Sequence, residues 1–315
     1  MIKKLTLVIV LILFLLVNIP ANAFNDRTTD FQIVYNESLI SHDTYSIFVL
    51  PNTEFDLDVY EPSNNHRYVI NGGELKLLSN NDYGWKFKAP KEAGNYKLSI
   101  TNENLKQRIM LNVFVLEPYS NMEGEYINGY RIGNYPIIPD KYKQSYTLPK
   151  GFIKVTRENE DTYLTPHFKL SQFICKQQGN YPKYIVLKEL LLDKLEYLLF
   201  QVNQRGSNAD TFHIMSGYRT PHYNKMLGNV ELSRHVFGDA ADIYIDVSPR
   251  DGQMDDLNGD GRVDIKDANL LYNTVEESYN NREYKEYIGG LGLYRKTSSH
   301  SPFIHIDTRG YKARW

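Results

Sequence analysis

Ser233-Arg234-His235-Val236-Phe237-Gly238-Asp239-Ala240-Ala241-Asp242 runs directly into Ile243-Tyr244-Ile245-Asp246-Val247. From Asp242 onward polar and apolar residues alternate, the period of a half-buried strand. Ile243, Ile245 and Val247 are then predicted to face a core, with Asp242, Tyr244 and Asp246 on the other side. Gly238 and two alanines let the chain bend closely enough for His235 and Asp242 to reach one point. A second alternating run, Pro302-Phe303-Ile304-His305-Ile306-Asp307-Thr308, puts His305 and Asp307 on one face and Ile304 and Ile306 on the other. Two imidazoles and a carboxylate converging from two strands make a three-ligand zinc site with an open fourth position, which marks catalytic rather than structural zinc.

The Ser-x-His-x-x-Gly-x-Ala-x-Asp pattern at Ser233–Asp242 resembles the zinc D-alanyl-D-alanine carboxypeptidases of bacterial cell-wall metabolism. So do Ser216-Gly217-Tyr218-Arg219-Thr220-Pro221 upstream and Gly289-Gly290-Leu291-Gly292-Leu293-Tyr294 with His300 and His305 downstream. The likeness covers about residues 150–315. It implies His235, Asp242 and His305 as zinc ligands, Arg219 as the cation near the scissile carbonyl, and His300 as a catalytic histidine outside the ligand set. Some relatives carry a glutamate three residues before the last ligand; here that position is Pro302, so His300 is left to move the proton. Ser233, Tyr244 and Asp307 are expected to contact substrate or support the ligands. The implied activity is hydrolysis of D-Ala-containing peptide bonds in peptidoglycan stem peptides, as a carboxypeptidase or an endopeptidase. A non-catalytic, metal-stabilised wall-binding or adhesion module is the alternative.

Upstream, Lys3 and Lys4, the apolar run Leu5–Ile19 and Ala21-Asn22-Ala23 read as a secretory signal with an A-x-A cleavage site. Export to the periplasm or beyond the cell is therefore expected, with no membrane attachment after cleavage. The 315 − 23 = 292 residues that remain suit two domains. Loss of Lys3 and Lys4 takes the formal charge from −2 to −4, so no basic excess points to nucleic acid. The single cysteine, Cys175, excludes an intramolecular disulfide and reads as a buried thiol.

Residues 24–118 carry short strand-like runs, such as Phe55-Asp56-Leu57-Asp58-Val59, separated by turn clusters such as Asn71-Gly72-Gly73. That pattern predicts a β-sandwich, and Glu92-Ala93-Gly94-Asn95-Tyr96 resembles the tyrosine corner of immunoglobulin-like domains. Residues 119–164 read as a Tyr/Pro/Gly-rich linker packed on its neighbour. Thr165-Pro166 predicts a helix start, and a Leu187, Leu191, Leu195, Leu198, Val202 stripe predicts a helix over 184–203. Thr220-Pro221 should open a shorter helix. His213 and His222 read as structural. The fold class is thus multidomain: an all-β immunoglobulin-like sandwich followed, over 165–315, by an α+β zinc peptidase domain with an antiparallel sheet flanked by helices.

An insertion at 250–285 contains Asp256-Leu257-Asn258-Gly259-Asp260-Gly261-Arg262-Val263-Asp264-Ile265-Lys266-Asp267. Oxygen side chains at positions one, three, five, nine and twelve, with glycine at six, suit structural calcium, the Arg262 carbonyl adding a main-chain ligand. The ligand set is Asp256, Asn258, Asp260, Arg262, Asp264 and Asp267, and the loop resembles that of dockerins. Dockerins carry two such loops and this chain one, so local stabilisation is expected rather than partner docking.

Overall fold

Alternation along Glu54–Val59 shows why the N-terminal region is a sandwich: Phe55, Leu57 and Val59 are buried, while Glu54, Asp56 and Asp58 are exposed. The computed structural model describes residues 24–315. The expected export signal, residues 1–23, lies outside them. Nine strands follow in order: β1 (Thr28–Tyr35), β2 (Ser38–His42), β3 (Thr44–Val49), β4 (Glu54–Val59), β5 (Tyr68–Asn71), β6 (Lys76–Asn80), β7 (Gly84–Lys88), β8 (Gly94–Asn102) and β9 (Gln107–Val115). They form two sheets, β2-β1-β4-β7-β6 and β3-β9-β8-β5, with β3 parallel to β9. Ile33, Leu57, Phe87, Ile100 and Val113 lie in the core between them. The Tyr96 hydroxyl donates to the Glu92 carbonyl at 3.0 Å, the back-bond of a tyrosine corner.

The stretch expected to link the domains is woven into the second one. Gly151–Val155 pairs with both Glu117–Pro118 and Lys183–Ile185. Tyr135 and Tyr146 pack edge-on against Phe237. This strand pairing also corrects the predicted helix over 184–203. Tyr184 and Ile185 belong to a strand, and α1 spans Glu189–Asn203. The pairing partner lies some 30 residues upstream, beyond the reach of a local periodicity.

Thr165-Pro166 opens no helix either. Tyr163–Thr165 and Phe168–Lys169 form a hairpin with Pro166-His167 at its turn. Proline's fixed φ serves a turn as well as a first helical turn. His167 is held there by Glu196, which accepts from its backbone N–H at 2.9 Å and bonds its Nδ1 at 2.7 Å. Thr220 does cap α2 (Pro221–Met226), its hydroxyl accepting from the Tyr223 N–H.

The C-terminal sheet comprises β10 (His213–Ser216), β11 (Ala240–Tyr244), β12 (Gly290–Tyr294), β13 (Phe303–Asp307) and β14 (Ala313–Arg314), in the order β10-β11-β13-β12-β14. All neighbours are antiparallel except β12 and β14. Ile243, Leu291, Ile304 and Ile306 share one core with α1 leucines and with Ala268, Leu271 and Val275 of α3 (Ile265–Ser278). Among the described residues no helix is long and apolar enough to cross a membrane.

The two domains are tied together at α1 and at the 163–169 hairpin. Tyr45 donates to Asp193 at 2.7 Å, and the Phe48 N–H reaches Glu189 at 3.3 Å. The Asn112 amide donates to the Tyr163 carbonyl at 2.9 Å, and Phe114 of β9 is buried in the C-terminal core.

Candidate metal centre

Strand register brings the first two candidate ligands together. In the β11–β13 pairing Asp242 stands directly opposite His305, and across β10 it faces Ser216. Gly292 is the β12 partner of His305. His235 arrives from a short 3₁₀ turn, Arg234–Phe237, that ends at Gly238 with φ +71°. A Cβ on Gly238 would stand 2.4 Å from the Val186 carbonyl oxygen, so both the left-handed turn and the close approach require glycine. The turn is braced by a buried ion pair, Arg234 with Asp239, which Lys188 joins at 3.1 Å.

Three ligand atoms then face one another. His235 Nε2 lies 3.2 Å from Asp242 Oδ1 and 3.2 Å from His305 Nδ1, and His305 Nδ1 lies 2.9 Å from Asp242 Oδ1. All three residues are buried. The outer nitrogens have acceptors of their own. His235 Nδ1 is 2.7 Å from the Gly217 carbonyl oxygen, which can only accept. His305 Nε2 is 3.2 Å from the Asp307 carboxylate. His235 therefore donates outward and turns Nε2 inward as an acceptor, while His305 lies between the carboxylates of Asp242 and Asp307. With its Nε2 proton given to Asp307, His305 Nδ1 would offer a lone pair to a metal in place of the proton it shares with Asp242. One cation could bind all three inward atoms at once. Tetrahedral donors bonded at about 2.0–2.2 Å to one zinc ion stand about 3.3 Å apart, close to the spacing found here.

Electrostatics agree. Burial pushes the His235 imidazole below its ordinary pKa, against the pull of Asp242. Burial opposes the charge on Asp242 too, but His235 and His305 outweigh it and hold the carboxyl well below the carboxylate range. For His305 burial again works against charge, but bonds to Asp242 and Asp307 win and raise its pKa. One buried imidazole is driven neutral and its neighbour charged; a divalent ion would satisfy both with the carboxylate. Among the described residues this is the one group of three or more His, Cys, Asp or Glu side chains placed to hold a metal.

Around the centre lies a cleft of about 830 Å³, lined by Arg219, Ser233, His300, Tyr294, Arg309 and Trp315 among others. Arg219 donates from Nε to the Ser216 hydroxyl at 2.8 Å and from a terminal nitrogen to Asp242 Oδ2 at 2.5 Å. It thereby occupies the carboxylate oxygen turned away from the imidazoles and leaves Oδ1 to a metal. His300 Nδ1 is 2.9 Å from the Ser301 carbonyl oxygen, which can only accept, so Nε2 is the ring nitrogen left for proton transfer.

Of the residues expected to contact substrate or support the ligands, Tyr244 lies away from the cleft and Asp307 stands behind His305. Tyr244 is buried, stacks on His213 at 4.4 Å and donates to the Gly252 carbonyl at 2.7 Å. The ring follows its strand away from the cleft towards β10. Asp307 is fully buried and accepts from Gly290, Arg309 and His305. Burial opposes its charge, but His305 and Arg309 hold it ionised far below the ordinary range. It bonds the candidate ligand His305, and its burial keeps it from substrate. His213 pairs with Asp246 at 3.3 Å, and Cys175 is a buried free thiol. Two contributors were missed in the sequence, Arg309 and Trp315. Arg309 stands two residues beyond Asp307, and that spacing on a strand end is a usable signal. The Trp315 ring packs against His305 with centroids 5.1 Å apart.

The acidic loop is built differently. Asp256 Oδ1 accepts from the Gly259 and Asp260 amides, and Asp256 Oδ2 from Gly261. Asn258 accepts from Asp260, and Asp260 from Arg262 and from the Lys266 ammonium. Asp264 caps α3 by accepting from Lys266. Asp267 is buried, takes Leu257 and Asn258 on one oxygen, and takes Asp264 on the other. The side chains proposed for calcium thus serve main-chain amides. The base of the loop is pinned to the segment carrying His300, where the buried Met254 donates its N–H to the Ser301 hydroxyl at 2.9 Å.

Comparison with known proteins agrees with the centre. Residues 166–254, which include His235 and Asp242, match the family model described as Peptidase M15. No curated protein matches the chain. Among solved structures, the M1 domain from titin is 7% identical, covering 23% of this chain and 87% of that one, with a TM-score of 0.16. The titin M3 domain is 11% identical, covering 27% and 97%, with a TM-score of 0.17. The Peptidase M15 match, with the His-Asp-His cluster, supports a zinc metallopeptidase.

Proposed function

We propose that the protein is an exported zinc peptidase that cuts D-Ala-containing bonds in peptidoglycan stem peptides, as a D,D-carboxypeptidase or D,D-endopeptidase. The observation that carries it is the convergence of His235 Nε2, Asp242 Oδ1 and His305 Nδ1, 2.9–3.2 Å apart, at the floor of a cleft that also holds Arg219 and His300. His235 Nε2, Asp242 Oδ1 and His305 Nδ1 would hold zinc, whose chemistry is to acidify a bound water and polarise a carbonyl. Gly217 and Asp307 keep the two imidazoles in their ligating tautomers. Arg219 fixes Asp242 through its outer oxygen and adds positive charge where an oxyanion develops. His300 Nε2 accepts the proton of the attacking water and returns it to the leaving amine. Ser233 stands on the cleft wall as a substrate contact. We read the N-terminal sandwich as immunoglobulin-like, on its two-sheet architecture and its tyrosine corner.

Calcium at Asp256–Asp267 is a separate proposal, supported by the loop spacing and by the left-handed Gly261 at φ +80°. It predicts a rise in thermal midpoint on adding calcium to the zinc-loaded protein. No rise would leave the loop as an acidic turn held by its own amides.

Incubation of the zinc-loaded protein with peptidoglycan, and with a pentapeptide ending in D-Ala-D-Ala, tests the activity. Mass spectrometry should find free D-Ala or uncrosslinked muropeptides with the wild type and none with Asp242→Ala. No product from either substrate, with zinc bound, would favour the metal-stabilised binding module.

A further inference from the structure

Lys194 sits in the middle of the apolar face of α1, between Leu191 and Leu198, and is fully buried. Its ammonium donates to the Asp307 carbonyl at 2.8 Å and to the Tyr287 carbonyl at 2.9 Å, and lies 5.3 Å from the centre of the Tyr284 ring. Both hydrogen bonds go to main-chain oxygens rather than to a carboxylate. Burying an amine in this way is costly where a leucine at the same place would not be. The position reached is informative. Asp307 ends β13, and its carboxylate is the group that turns His305 Nδ1 towards the metal centre.

We infer that Lys194 is a positioning residue for the metal centre, holding the Asp307 backbone from α1 and, through the Asp307 carboxylate, the ring of His305. The inference rests on the reading that His235, Asp242 and His305 bind zinc. Its effect is smaller than that of Asp307 itself, because Gly290 and Arg309 also hold that carboxylate. Direct partners of metal ligands are worth about tenfold to a hundredfold in affinity. One bond further out, roughly three- to tenfold is expected by the same reasoning.

The test is zinc affinity by competition with a chromophoric chelator, with the visible spectrum of the Co²⁺-substituted protein as a second readout. Lys194→Met should weaken zinc by that factor and shift the Co²⁺ bands. Leu198→Ala, a cavity on the same helix, should lower the melting temperature and leave both readouts unchanged. Adding Lys194→Met to Asp307→Asn should weaken zinc no further than Asp307→Asn alone, since both act through one path. Should Lys194→Met not fold, Lys194→Gln carries the same test. Wild-type affinity and spectrum in the Lys194 variant, or equal weakening by Leu198→Ala, would overturn the inference. Failure of the wild type to bind zinc would instead overturn the metal-site reading beneath it.

Discussion

The His235–Asp242–His305 centre and the Asp256–Asp267 loop are both rich in metal-ligating side chains, yet they treat their carboxylates in opposite ways. At the centre, Asp242 Oδ1 faces two ring nitrogens, on rings that each have a second acceptor on the outer side. In the loop, Asp256 and Asp267 are occupied by backbone N–H groups. A carboxylate fed by amides stabilises a turn or caps a helix without further help. One held by a guanidinium and two buried imidazoles is instead placed where a metal could replace the imidazole protons. Spacing alone shows that acids are close in sequence; the kind of partner, imidazole nitrogens at the centre and main-chain amides in the loop, separates a candidate ligand set from a capping network.

Changes at the centre should have the largest effects. His305→Ala should weaken zinc by more than the roughly hundredfold upper range of outer-partner changes, measured by chelator competition. Retained affinity would remove the contrast altogether. Next, His300→Ala should keep zinc but reduce turnover by about 10²–10⁴-fold, the usual weight of a general acid–base group. Near-wild-type turnover would exclude His300 from proton transfer.

In the loop, Asp267→Ala should cost about 1–3 kcal/mol, because the amides of Leu257, Asn258 and Asp264 lose the buried carboxylate that accepts from them. Chemical denaturation would show it, and zinc affinity should not move. Asp193, at the domain interface, offers the mildest test. Burial, reinforced by neighbouring Glu189 and Glu196 and only partly offset by the Tyr45 hydrogen bond, raises its carboxyl to about 7. The folded state therefore holds a proton that the unfolded state releases from about pH 4 upward. Its contribution to stability is present below that pH and is lost as pH rises towards 7. Asp193→Asn should flatten this part of the stability profile, and an unchanged slope would contradict it.

The β11 and β13 strands were legible in sequence because their two-residue period is local, and Gly238 was legible because only glycine suits the bend. The sandwich, too, could be read from alternation and turn spacing. What escaped depended on distant partners. Tyr184 belongs to a strand because Gly151–Val155 pairs with it, and Thr165-Pro166 makes a turn because Glu196 holds His167. Tyr244 and Asp307 lie on polar strand faces as expected, but the alternation of a strand does not reveal which neighbour encloses a side chain. Lys194 left a trace, a lysine inside a leucine stripe, whose meaning emerges only when β13 is seen above it.

The central claim is that this chain holds zinc through Asp242 and not through the acidic loop. Metal content after exhaustive dialysis, for the wild type, Asp242→Ala and Asp256→Ala, tests it most directly. The account predicts zinc retained by the wild type and by Asp256→Ala, and lost from Asp242→Ala. Zinc retained by Asp242→Ala, or lost with Asp256→Ala, would contradict it.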